Sequence, residues 1–249
     1  MRIVIITGGG QGIGFGIAQC FVELGDVIVI ADINPTVAHE AASKLKAQGA
    51  SDAVGIECDV ADADSVQAMV DAVWARFGRI DVLINNAGIC PFVNVMDITP
   101  EVGRKTLDVD LTGPFLCTQR VARKMIAAKI RGKVVFITSL ADTRVGENQV
   151  DYGAAKSGLR LVMVGFANAL GKHGINCNAV APGHVSTPLT AHWWESDAGK
   201  ASIPKVIPLG QLSLPKDIGY ACTFLCSEQA QSVHGITLRV DGGNQNAVI

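Results

Sequence analysis

Tyr152 and Lys156 stand four residues apart in the segment VDYGAAKSGL. On a helix that spacing puts both side chains on one face, a turn apart. A free phenol ionises near 10 and is a poor base at neutral pH, but a cation beside it stabilises the phenolate. The pair therefore suits acid–base work on an alcohol or a ketone. Ser139, at the end of the apolar run in VVFITSL, could hold and polarise the reacting oxygen opposite Tyr152. Tyr-x-x-x-Lys alone is most often an ordinary surface pair. It gains weight here from Ser139 and from two features far upstream, a glycine-rich turn and Asp32.

The turn is Thr7-Gly8-Gly9-Gly10-Gln11-Gly12-Ile13-Gly14, between an apolar run and a helical pattern. Glycines there let backbone amides approach a pyrophosphate, whose charge the following helix dipole favours. The spacing is not strict G-x-G-x-x-G, and no Gly-Lys-Ser/Thr follows, which excludes a nucleoside-triphosphate P-loop. Asp32 ends the second apolar run, where a carboxylate can accept hydrogen bonds from both hydroxyls of an adenosine ribose. The same carboxylate repels a 2′-phosphate. No Lys or Arg stands at positions 33–38, and Gln11 is uncharged, so the pattern favours NAD over NADP. Asn34 before Pro35 is a suitable helix N-cap, which leaves Asp32 free for the ribose.

These residues must be positioned by a sheet. Strand-length apolar runs recur at 3–6, 27–30, 53–56, 82–84, 134–137, 175–180 and 236–240. They are continuous rather than alternating, as strands buried on both faces are. Between them lie helical faces: Ile13, Ile17, Phe21 and Leu24; Val66, Met69, Val70, Val73 and Phe77; Val109, Phe115, Leu116 and Val121; and Leu159, Val162, Met163, Phe166 and Leu170. Strand–helix alternation predicts α/β architecture, a doubly wound, Rossmann-like parallel sheet. Residues 1–249 carry no linker or repeat, so one domain is expected. Segment 184–214, with Pro188, Pro204, Pro208, Trp193 and Trp194, breaks the rhythm and reads as an insertion over the carboxyl ends of the strands.

Composition narrows the function classes. The 249 residues are 49% apolar and 18% charged, with a net charge of −2, which gives nucleic acid or an anionic membrane no basic surface. No apolar stretch approaches the ~18 residues of a membrane span, and the start, MRIVIITGGG, has no signal-peptide pattern. The seven cysteines are odd in number and scattered without C-x-x-C spacing. Buried thiols in a reducing cytoplasm are expected, and no metal site.

Taken together, these motifs resemble the short-chain dehydrogenase/reductase family over essentially the whole chain. The likeness runs from Thr7–Gly14 through Asp59-Val60, Asn85-Asn86-Ala87-Gly88, Ser139, Tyr152 and Lys156 to Pro182-Gly183, Thr187 and Val240-Asp241-Gly242-Gly243. It implies a cofactor cleft made by Gly8, Gln11, Gly12, Ile13 and Gly14, with Asp32, Ile33, Asp59 and Val60 around the adenosine. Asn86, Ala87 and Gly88 follow the fourth strand in that cleft. Pro182, Gly183, Val185 and Thr187 lie at the nicotinamide. It implies Tyr152 as general acid–base, Lys156 on the nicotinamide ribose, Ser139 on the substrate, and a homotetramer. One position departs. The family usually carries asparagine in the middle of the long fourth helix, completing a proton relay, where this chain has Asp110 in LDVDLTGPF. A carboxylate there would raise the pKa of Lys156 and weaken its help to Tyr152.

The reaction expected is NAD-dependent interconversion of a secondary alcohol and a ketone, or of a sugar and its lactone. Cys90, Phe92, residues 140–149 and His184 with Trp193 and Trp194 are candidates for the substrate pocket. Arg144 could receive a carboxylate, and Glu147, Asn148 and Gln149 sugar hydroxyls. Asn148, taken as one helical turn before Tyr152, is the strongest of these, and a small polyhydroxylated alcohol or sugar is the favoured class. Three alternatives stand beside it. A 3-oxoacyl-carrier-protein reductase would use Arg120, Arg123, Lys124, Lys129 and Arg131 as a docking patch, but Asp32 argues against its usual NADPH. A non-catalytic NAD-binding sensor or scaffold would not need Ser139, Tyr152 and Lys156. A likeness of fold alone would bind no dinucleotide.

Overall fold

The computed structural model describes residues 1–188 and 190–246. Seven strands form one parallel sheet: β1 (Ile3–Thr7), β2 (Val27–Asp32), β3 (Ala53–Glu57), β4 (Val82–Asn85), β5 (Lys133–Ile137), β6 (Asn176–Pro182) and β7 (Thr237–Val240). Their order across the sheet is β3-β2-β1-β4-β5-β6-β7. The helices are α1 (Gly12–Glu23), α2 (Pro35–Ala47), α3 (Ala63–Phe77), α4 (Pro100–Leu107), α5 (Gly113–Ala127), α6 (Val150–Leu170), α7 (Ala191–Trp194), α8 (Asp197–Val206) and α9 (Pro215–Leu225). This is the doubly wound, Rossmann-like single domain that the alternation predicts.

Strand alternation divides the core in two. Val4, Ile6, Ile28, Ile30 and Ile84 pack against Ile17, Phe21, Leu45 and Ile218 of α1, α2 and α9. Ile5, Val29, Leu83 and Phe136 pack against Val70, Val121, Leu159 and Met163 of α3, α5 and α6 on the other face. Each such side chain, fully buried, stabilises the fold by about 1.5–3 kcal/mol. Burial on both faces holds for β1, β2, β4, β5 and β6 but not for the edges. β3 is half-buried at Val54–Ile56 and exposed at Glu57, and β7 is half-buried throughout, because an edge strand has a neighbour on one side only.

The third helical region departs from its expected face at one residue. Residues Asp108–Thr112 form a π-helical turn, and α5 then buries Cys117, Thr118, Val121, Ala122 and Met125 while Phe115 stays 40% exposed. Of the expected face, Val121 is in the core and Val109 and Leu116 pack half-buried against it, so Phe115 alone departs from it. Asp110 is buried within the π-helical turn.

β1 is followed by β2 on one side and borders β4 on the other, so the order reverses at the carboxyl ends of β1 and β4. A ligand crevice opens at such a point. The amino ends are closed instead by ion pairs of Arg2 with Asp26 and Arg79 with Asp81, each at 2.6 Å. Segment 184–214 crosses above the carboxyl ends and carries α7 and α8; Leu189 within it lies outside the described residues. All seven cysteines are free, and six of them are buried. Among the described residues no cluster could hold a metal ion, and no helix is long and apolar enough to cross a membrane.

Candidate active site

The glycine turn is stitched to the end of β4. Asn86 donates through Nδ2 to the carbonyls of Thr7 and Gly8, both at 3.0 Å. Thr7 Oγ1 accepts from the backbone N–H of Asn86 (3.0 Å) and of Ala87 (3.1 Å). Gly8 has φ +59°, and a Cβ there would lie 2.8 Å from the Ala87 Cα, so only glycine fits. At Gly12, φ +54°, a Cβ would meet nothing nearer than Thr187 at 3.8 Å, so that side of the turn is open. Gln11 makes no side-chain cap on α1, and the first turn holds no acid. Its amides are thus left to an anion.

At the end of β2, Asp32 accepts from the Gly10 N–H through Oδ2 and from the Asn34 N–H through Oδ1, both at 3.2 Å. Asn34 caps α2, accepting from Thr36 (3.0 Å) and Val37 (3.3 Å). The carboxylate is therefore fixed beside the phosphate turn, and Ile33 next to it is 66% exposed. Asp59 accepts from the Ala61 N–H at 2.9 Å, and Val60 is buried against Gly113. An uncapped helix start, an open glycine and an oriented carboxylate fit the diphosphate and ribose of a dinucleotide.

Ser139 lies two residues beyond β5 and caps a short 3-10 turn, accepting from the Ala141 N–H at 3.1 Å. Tyr152 and Lys156 are in the first two turns of the 21-residue α6. The Lys156 ammonium donates to the Ile137 carbonyl at 3.2 Å, stands 3.1 Å from Asp110 Oδ2 and lies 5.4 Å from the centre of the Tyr152 ring. Asp110 Oδ1 accepts from the Ile89 N–H at 2.8 Å. Asp110 is 0% exposed and Lys156 3%, so their charges meet largely out of water.

Burial works against the charged lysine, but Asp110 and then Tyr152 hold its pKa above the ordinary value. Burial also pushes the Asp110 carboxyl up, against the pull of Lys156 and the Ile89 N–H. For Tyr152 the balance differs from the simple expectation. Burial pushes the phenol up, Lys156 and Ser139 pull it down, and Asp110 and Cys90 push it up again, leaving it above its ordinary value. The lysine does favour the phenolate, yet burial is the larger effect.

A cavity of about 950 Å³ joins these groups. Ile13, Asn86, Gly88, Asp110, Ser139, Tyr152, Lys156, Pro182, Gly183, Val185 and Thr187 line it. So do the substrate candidates Cys90, Phe92, Arg144, Asn148, Gln149, His184, Trp193 and Trp194. Gly8, Gln11, Gly12, Gly14, Asp32, Ile33, Asp59, Val60 and Ala87 are not in its wall; they belong to the turn and strand ends that would hold the adenosine diphosphate half. Glu147 is not in the wall either; its carbonyl accepts from the Val95 N–H at 2.9 Å. Asn148 does not lie on the helix of Tyr152, because α6 begins at Val150 with Gln149 as its cap. Its side chain is exposed, on the arm that leads into α6.

Three contributors escape a reading of residue types. The Ile137 carbonyl and the Ile89 N–H are backbone groups with no signature of their own. Thr190 donates to the Val185 carbonyl at 2.8 Å and accepts from the Thr187 N–H at 3.2 Å, which orders the Val185–Thr187 wall. The Thr-x-x-Thr spacing was its one available signal.

Comparison with known proteins agrees with this geometry. A family model described as Enoyl-(Acyl carrier protein) reductase matches residues 8–245. L-rhamnose 1-dehydrogenase (NAD(P)(+)) of Azotobacter vinelandii is 35% identical over 97% of this chain and 96% of its own. The 3-oxoacyl-[acyl-carrier-protein] reductase FabG of Chlamydia muridarum is 37% identical over 97% and 96%. The crystal structure of a gluconate 5-dehydrogenase from Burkholderia cenocepacia J2315 in complex with NADP and tartrate superposes with a TM-score of 0.93 at 34% identity, over 99% of this chain and 96% of that one. Likeness that runs the length of the chain, to dehydrogenases and reductases alike, means that this protein belongs to the short-chain dehydrogenase/reductase family and is an NAD(P)-dependent oxidoreductase of CH–OH groups.

Proposed function

We propose that this chain interconverts a secondary alcohol and a ketone, or a sugar and its lactone, on a small polyhydroxylated substrate, with NAD as its cofactor. The observation that carries this reading is the meeting of Ser139, Tyr152 and Lys156 in one cavity, with the ammonium hydrogen-bonded to the Ile137 carbonyl and ion-paired with Asp110 beside the phenol ring. In the oxidative direction the Ser139 hydroxyl holds the substrate oxygen and Tyr152 takes its proton. Lys156 offsets the charge left on Tyr152, and an N–H not used on the Ile137 carbonyl is available to the cofactor ribose. Bound NAD⁺ supplies the acceptor for the hydride from the carbinol carbon.

Asp32 supports NAD over NADP, since a 2′-phosphate would meet a carboxylate that the Gly10 and Asn34 amides hold in place. The gluconate 5-dehydrogenase binds NADP, so the preference calls for a direct comparison of the two cofactors. The sugar substrate of the Azotobacter relative and the polyhydroxy acid of the Burkholderia one support the substrate class. A homotetramer in a reducing cytoplasm fits the exposed Phe115 and Leu161 on α5 and α6 and the six buried free thiols.

A carrier-protein reductase is the second reading, favoured by the FabG relative and the description of the matching family model. Against it, Lys124 of the basic set is paired with Asp71 at 2.9 Å and lies over Trp74, and Asp32 opposes NADPH. The test is a panel of sugars, polyols and hydroxy acids with NAD⁺ and NADP⁺, run beside an acyl thioester with NADH and NADPH. Turnover of the polyhydroxylated compounds with NAD⁺ is expected. Reduction of the thioester alone would favour the second reading, and NADH binding without any turnover would favour a sensor or scaffold.

A further inference from the structure

The charges in the cavity wall do not cancel. Three formally charged side chains line it: Asp110, Lys156 and Arg144. Asp110 and Lys156 neutralise one another at 3.1 Å. The charge left over is the Arg144 guanidinium. Its Nη1 donates to the Asn244 carbonyl at 3.3 Å, which moors the side chain between the 143–149 arm and the C-terminal segment. Among the described residues no carboxylate pairs with it. Three acids of the flanking segments are engaged elsewhere: Asp142 with Arg239 (3.3 Å), Asp151 with Thr106 (2.8 Å), and Asp241 with the N–H groups of Gly243 (2.9 Å) and Gln245 (2.8 Å). Glu147 is outside the wall.

The guanidinium also acts on the cavity. His184 in the same wall packs on Trp194 with ring centres 4.7 Å apart, and burial, then the charge of Arg144, hold its imidazole below the usual pKa. The cavity lining therefore holds an exposed cation tethered through one nitrogen, a neutral imidazole and two indoles, and it includes Asn148 and Gln149. Ile13, Asn86 and Gly88, which the proposed function gives to the cofactor, belong to other segments of the chain, while Thr187 shares segment 184–214 with His184 and the two tryptophans.

We propose that Arg144 anchors a substrate carboxylate, so that the preferred substrate is a polyhydroxylated acid, an aldonate or its keto acid, rather than a neutral sugar or polyol. This rests on the function proposed above and names the substrate class of the same site. A guanidinium offers carboxylate a planar fork of donors, and one Nη1 bond to Asn244 leaves the others available. The carboxylate supplies the charge that this wall lacks. Asn148 and Gln149 meet the hydroxyls between the carboxylate and the carbon that reacts at Ser139 and Tyr152.

The test compares aldonates with the alditols and aldoses of matching configuration, using the full chain and NAD⁺, and reads the ratio of kcat/KM for acid over neutral partner. The wild type should favour the acid by about tenfold or more, the scale of a charge-assisted hydrogen bond. Arg144→Gln should bring the ratio close to one, through a raised KM for the acid. Arg144→Lys, which keeps the charge and loses the fork, should fall between. Neutral compounds oxidised as well as acids by the wild type, or an unchanged ratio in Arg144→Gln, would overturn this inference and leave the proposed function standing. Turnover of neither class would overturn both.

Discussion

Replacing Asp110 by asparagine removes one charge and keeps the shape, and an amide oxygen can still accept the Ile89 N–H. The distances of 3.1 Å from Asp110 to Lys156 and 5.4 Å from Lys156 to the ring centre of Tyr152 put the carboxylate within about 8.5 Å of that ring. At an effective dielectric constant of about 20, a negative charge at that range disfavours a second by about 2 kcal/mol. That is between about one and two pKa units. The sign comes from the charges: Asp110 opposes the phenolate, so its removal lowers the Tyr152 pKa. Lys156 loses a partner at 3.1 Å and falls further. The profile of kcat/KM against pH for alcohol oxidation should therefore move to lower pH in Asp110→Asn. Its acid limb should move by about one unit and its alkaline limb by more, so the active range narrows. Initial-rate measurements with NAD⁺ across the pH range check this. Superimposable profiles, or a shift to higher pH, would refute the coupling of Asp110 to the phenol.

The same geometry sets other expectations. Tyr152→Phe should lower turnover by at least about a hundredfold while an NADH fluorescence titration still reports binding, since the ring stays and only the proton-transferring oxygen is lost. Asp32→Ser should shift the NAD⁺-to-NADP⁺ ratio of kcat/KM toward NADP⁺ by about tenfold or more, which corresponds to relief of about 1.4 kcal/mol of repulsion; an unmoved ratio would place the adenosine ribose elsewhere. Asn34→Ala removes the acceptor for two amides at the start of α2. It should cost about 1 kcal/mol and lower Tm by about 2–4 °C in a chain of this size, as thermal unfolding would read.

Local chemistry made much of the site legible beforehand. Val, Ile and Leu runs at strand length, separated by helical spacing, specify a parallel sheet because only burial on both faces suits them. A glycine-rich turn between strand and helix specifies a close backbone approach because backbone conformation there depends on the missing Cβ. Asn34 before Pro35 specifies a helix start, and the structure shows that cap made. The four-residue spacing of Tyr152 and Lys156 specifies one face of one helix.

Other features depended on atoms far apart in the chain. Asp110 is buried within a π-helical turn at Asp108–Thr112, which hydrophobic periodicity cannot reveal because it assumes a regular helix. The balance of pKa values in Tyr152, Lys156 and Asp110 is set by burial and by separations of a few ångströms, and neither is a property of residue type. The charge of Arg144 meets no carboxylate among the described residues, and the fold commits Asp142, Asp151 and Asp241 to other partners. Residue types and their spacing thus determined the architecture and which candidate groups share a helix face, since both rest on short-range covalent geometry. The electrostatics of the cavity, and with it the substrate it favours, was decided by tertiary packing, because Coulomb energies depend on distance in space and exclusion of water rather than on position in the chain.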